Sequence, residues 1–64
     1  MNYSEQVKKI RAELLVTQEE LASMLGVTFA TLNRWENGHH EPSMKQKRTL
    51  REFCKKNKIF WEVE

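Results

Sequence analysis

The sequence predicts an all-α fold, a compact bundle of four to five short helices, and three observations carry that prediction. Apolar residues recur at three- and four-residue spacing from Tyr3 to Leu25. Residues that start helices (Asn2, Thr17, Thr28, Ser43) and glycines that end them (Gly26, Gly38) cut the chain into short lengths. No stretch alternates apolar and polar residues at the period of a strand until the chain reaches Ile59.

Each element follows from local signals. Asn2 with Glu5 three positions on matches a capping box, and Tyr3, Val7, Ile10 and Leu14 then line one face, which predicts a first helix from about Tyr3 to Leu14. Thr17 and Glu20 repeat the box. Leu21, Ala22 and Leu25 form a narrow apolar stripe that stops at Gly26, so the second helix is only about two turns long. Gly26 stands where the chain turns sharply, and a left-handed backbone is cheapest for glycine. Thr28 caps a third helix that continues through Trp35 and ends at Gly38. Pro42 and Ser43 open a fourth, with Leu50, Phe53 and Cys54 as its apolar positions. The closing stretch "IFWEV" sets Ile59, Trp61 and Val63 on one side and Phe60 and Glu62 on the other, the signal of a short extended C-terminal tail.

Size and charge bound the function. A chain of 64 residues makes one domain, and a domain of that size buries only about 60% of its unfolded surface. The net charge of +2 is unevenly spread: Lys45, Lys47, Arg48, Arg51, Lys55, Lys56 and Lys58 face the single acid Glu52, so the C-terminal third is basic. The lone Cys54 forms no internal disulfide, in keeping with a reducing compartment. No apolar run is long enough to span a membrane, and the N-terminus lacks the apolar stretch of a signal peptide. The expected setting is the cytoplasm.

The third helix is the informative one. On a helical wheel Leu32 and Trp35 share the core side, Glu36 lies at the core boundary, and Phe29, Ala30, Asn33, Arg34 and Asn37 occupy the opposite face. A phenylalanine and two asparagines are odd on a solvated helix, asparagine being a poor helix former. They suit a DNA major groove, where arginine bonds guanine, asparagine bonds adenine and apolar groups touch the thymine methyl.

Gln18, Ala22, Gly26, Leu32 and Trp35 fall at the spacing of a helix-turn-helix unit. The segments "TQEELA", "LGVT" and "RWENG" followed by "PS" resemble the Cro/repressor-type (XRE) family of DNA-binding domains over about Val7 to Phe53. The resemblance implies a lambda-repressor-like bundle and roles for matching residues. It implies that Gln18 bonds a backbone phosphate, with Thr17, Thr28, Asn37 and His40 as further phosphate contacts. Phe29, Ala30, Asn33 and Arg34 take the base-reading positions. Arg11 and Glu36 match a structural ion pair. The sequence departs from the pattern at Phe29 and Ala30, where polar residues are common, and at Glu41, an acid in a loop that passes near phosphates. The function implied is sequence-specific binding of double-stranded DNA by a small transcriptional regulator. Its rival is a protein-protein module or antitoxin-like partner on the same scaffold, which the apolar Phe29 and Ala30 favour.

Other chemistry fits poorly. No nucleophile comes with a base and an orienting partner, so an enzyme is not expected. His39 and His40 lack a second, suitably spaced ligand pair, so neither a metal nor another cofactor is expected. The reading divides the chain into residues 1–58, the DNA-binding domain, and 59–64, an apolar tail. That tail has two roles open to it: folding back on the first and fourth helices as core, or meeting its copy as an edge strand or aromatic patch. We expect the second, because two-fold dimers present two recognition helices to a near-palindromic site.

Overall fold

A computed structural model describes residues 1–63; Glu64, the last residue of the expected tail, lies outside the described residues. The described residues form four helices, α1 (Tyr3–Leu14), α2 (Gln18–Leu25), α3 (Phe29–Glu36) and α4 (Met44–Lys56). Their starts are those that the sequence predicts. Asn2, Thr17 and Ser43 each accept from the backbone N–H three residues on, while the side chains of Glu5, Glu20 and Gln46 accept from the cap N–H in return. Thr28 caps α3 by accepting from the Thr31 N–H at 3.1 Å.

Each of the four helices is followed within two residues by one of positive φ. Gly26 (φ 74°) and Gly38 (φ 75°) do so after α2 and α3, as glycine should. Leu15 (φ 57°) and Lys58 (φ 58°) do so after α1 and α4, where a side chain makes the left-handed backbone costly. In each case the N–H of the next residue reaches back to the last helical turn: Val16 to Arg11 O, Val27 to Ala22 O, His39 to Arg34 O and Ile59 to Cys54 O. Helix ends that would otherwise leave orphan carbonyls are thereby satisfied.

Both α1 and α2 pack against α3, and α2 also meets α4. The enclosed core is Val7, Ile10, Leu21, Ala22, Leu25, Leu32, Trp35, Leu50, Cys54 and Ile59, with Tyr3, Leu14, Val16, Val27, Phe53 and Trp61 against its edge. Burial pushes the Cys54 thiol up to about 11, so it remains a neutral core group.

The tail forms no strand among the described residues. Its alternation is nevertheless realised: Ile59 is buried, Phe60 is 72% exposed and Trp61 packs edge-on against Tyr3 at 5.8 Å. Within the chain, one side chain bonds the tail backbone. Gln6, fully buried on α1, donates to the Phe60 carbonyl at 3.1 Å and accepts from the Glu62 N–H at 2.7 Å. Its amide therefore bonds the tail as a neighbouring strand's peptide group would. Lys9 pairs with Glu62 at 2.8 Å beside it. Ile59 thus packs in the same core as the four helices.

Candidate nucleic-acid interface

Helix α3 is short, so its presentation depends on how firmly it is held. Leu32 and Trp35 anchor it in the core. Glu36, with a side chain only 4% exposed, receives two bonds from the Arg11 guanidinium, Nε to Oε2 at 2.8 Å and a terminal nitrogen to Oε1 at 2.9 Å. This bidentate pair is the geometry in which arginine and carboxylate bind most strongly, and it raises the Arg11 pKa above its ordinary value. Ser4 Oγ donates to the Glu36 backbone carbonyl. The C-terminal end of α3 is therefore fixed to α1 through both the side chain and the backbone of one residue. The ion pair expected between Arg11 and Glu36 is present.

With its inner side locked, α3 turns outward the set that the wheel predicts. Phe29 (48% exposed), Ala30, Arg34 and Asn37 are exposed and Asn33 lies half-buried among them. No ion pair among the described residues involves Arg34. At the first turn of α2, Gln18 is half-buried and faces α3: Asn33 Nδ2 donates to Gln18 Oε1 at 3.4 Å, and Asn37 Nδ2 donates to Asn33 Oδ1 at 2.9 Å. Thr17 and Thr28 are exposed caps at the starts of the two helices. The helix N-termini add backbone N–H donors and partial positive charge at these ends.

The loop after Gly38 carries His39 and His40, both exposed. Glu41, the acid that looks unhelpful in sequence, is paired with Lys47 Nζ at 3.3 Å, and the same ammonium lies 5.1 Å over the Tyr3 ring. Its charge is offset within the chain. No three His, Cys, Asp or Glu side chains among the described residues gather closely enough to hold a metal, and none of the described helices is long and apolar enough to cross a membrane.

Sequence reasoning missed the chain of amides from Gln18 through Asn33 to Asn37. The signal was available in part, since residues four apart on a helix are neighbours. The Gln18 link was not, because it depends on the crossing of α2 and α3. Also missed was the cleft where Gln18, Phe29 and Arg11 meet the α1–α2 turn at Leu15, a residue that is 90% exposed.

Two helices joined by a tight glycine turn, the second anchored inside and polar-aromatic outside, define a helix-turn-helix domain. The helix-turn-helix family model matches residues 7–56, and the chain belongs to that family, in its Cro/C1-type (XRE) form. It is a family of DNA-binding domains and not of enzymes. No curated protein and no solved structure matches the chain.

Proposed function

We propose that this protein binds double-stranded DNA sequence-specifically, as a small cytoplasmic transcriptional regulator that lays residues 28–37 in the major groove. The observation that carries this reading is the outward strip of α3, held by Trp35 and the Arg11–Glu36 pair and flanked by Gln18. Arg34, exposed and free of an acidic partner among the described residues, is the principal base reader, a guanine contact being the commonest choice for arginine. Phe29 and Ala30 meet thymine methyl groups. Gln18, Thr17, Thr28, Asn37 and His40 meet phosphates and set the register. The protein acts as a homodimer, with its two α3 helices about 34 Å apart on a two-fold site. A dimer contact through the tail rests on Phe60, the tail residue left most exposed.

Selection of duplexes from a random pool tests the reading directly, and an enriched motif is the expected result. On that motif Arg34→Ala should cost about 1–3 kcal/mol against the preferred base and relax discrimination at one position. Equal loss on enriched and random duplexes removes Arg34 as a base reader.

A second reading draws on Leu15 and Phe29, both exposed around one cleft. It makes that cleft a site for a protein partner. Salt separates the two: affinity for DNA falls steeply with ionic strength as counterions are released, whereas an apolar protein contact hardly changes.

A further inference from the structure

Four of the five side chains on the outer face of α3 are exposed, and the fifth, Asn33, is half-buried. Asn33 is also the side chain on that face bonded in both directions. Its Nδ2 donates to Gln18 Oε1 at 3.4 Å across the α2–α3 crossing, and its Oδ1 accepts from Asn37 Nδ2 at 2.9 Å along α3. The three amides form one chain of a single polarity, in which each carbonyl faces the next residue's NH2 group.

We infer that Asn33 is a positioning residue: it holds the Gln18 amide with its carbonyl turned toward α3 and its NH2 group turned outward, as a phosphate oxygen requires. The inference rests on the DNA reading above. A glutamine amide has two nearly equivalent orientations about its last torsion, one presenting two donors and the other an acceptor. An acceptor aimed at a phosphate is repelled. The 3.4 Å bond from Asn33 is long, yet it acts on a soft torsion, where a weak bias is enough to choose between orientations. Asn37 completes the device from the other side by occupying the Asn33 carbonyl, which leaves the Asn33 NH2 group to face Gln18. Asn33 thereby ties the phosphate anchor on α2 to the body of α3, so the register set by Gln18 reaches Arg34 through one rigid amide.

The inference changes what loss of Asn33 should do. A base reader matters on its preferred sequence alone, whereas a residue that orients a phosphate anchor matters on every sequence. Alanine at this helical position is a better helix former than asparagine, so Asn33→Ala keeps the fold.

The test compares the parent, Gln18→Ala, Asn33→Ala and the double variant on a random-sequence 20-base-pair duplex and on the enriched duplex. Asn33→Ala should weaken both duplexes by the same factor, roughly three- to tenfold, from the rotamer freedom returned to Gln18. The double variant should bind no more weakly than Gln18→Ala alone, the non-additivity expected of residues acting as one unit. Loss confined to the enriched duplex and additive with Gln18→Ala overturns the inference while leaving the DNA reading intact. A second measurement needs no DNA: side-chain amide relaxation in the free chain should show Gln18 ordered in the parent and disordered in Asn33→Ala. A Gln18 amide equally mobile in both also overturns the inference. Failure of the parent to bind either duplex overturns the DNA reading, and the phosphate role of Gln18 with it.

Discussion

Replacing Gln6 by leucine keeps a buried side chain of similar volume on α1 and removes two hydrogen bonds to the tail, those to the Phe60 carbonyl and the Glu62 N–H. Each such bond nets about 1 kcal/mol when water can take its place, and more when the orphaned group stays dry. The expected cost is therefore about 2 kcal/mol if the tail shifts to admit water and about 3–4 kcal/mol if both groups remain buried. A core this small supplies about 3–5 kcal/mol in all, so either value is a large share of the stability. Urea melts followed by circular dichroism and by tryptophan emission measure the loss, and Trp61 reports whether the tail has lifted. Gln6→Glu sharpens the test. A protonated carboxyl can still donate to the Phe60 carbonyl and accept from the Glu62 N–H, losing only the amide's second donor, which reaches Cys54 Sγ at 3.8 Å, whereas the carboxylate has only acceptors and opposes the Phe60 carbonyl. Burial without a compensating charge raises the folded pKa of that carboxyl above its unfolded value of about 4.3. Its contribution is thus fully present below pH 4.3 and lost as pH rises through the folded value. Gln6→Glu should match the parent near pH 4 and fall well below it at pH 7. A Gln6→Leu variant within about 0.5 kcal/mol of the parent, with Trp61 emission unchanged, refutes the reasoning, since that is the range of an inert surface change.

Leu15 buries almost nothing at 90% exposure and holds φ at 57°. Leu15→Gly should therefore stabilise the chain by up to about 1 kcal/mol, the relief of a left-handed leucine outweighing the entropy of glycine. That is a rise of several degrees in Tm, and a fall in Tm contradicts the helix-end geometry described for α1. Cys54 gives a pH dependence of the same sign as Gln6→Glu, at higher pH. Its thiol rises from 9.0 to about 11 on folding, so the folded state holds its proton where the unfolded state releases it. Stability should be unaffected by this group below pH 9 and should fall by up to about 1.4 kcal/mol per pH unit between 9 and 11. Cys54→Ala should flatten that slope, and a thiol reagent at pH 8 should label the parent only as fast as it unfolds.

The limits of the helices were legible in the sequence because they are decided within three or four residues. Asn2 with Glu5, Thr17 with Glu20, and glycines 26 and 38 act on their own turn of backbone and need nothing distant. The outward strip of α3 was legible for the same reason, since helical periodicity alone sets Phe29, Ala30, Arg34 and Asn37 opposite Leu32 and Trp35. Leu15 and Lys58 were not legible as left-handed residues, because their own preference opposes the conformation that the helix ends impose. Gln6 carried a faint signal, a polar residue on the apolar face between Tyr3 and Ile10, but its partners in the tail lie more than fifty positions along the chain. The tail shows the division most clearly. Alternation in "IFWEV" was enough to separate Ile59 and Trp61 from Phe60. What lay against them was decided by tertiary structure, which sets the α1 amide of Gln6 and the ring of Tyr3 beside the tail. Local sequence determined which groups each element offers; only the crossing of the helices decided which of those groups meet, because a hydrogen bond depends on distance in space and not along the chain.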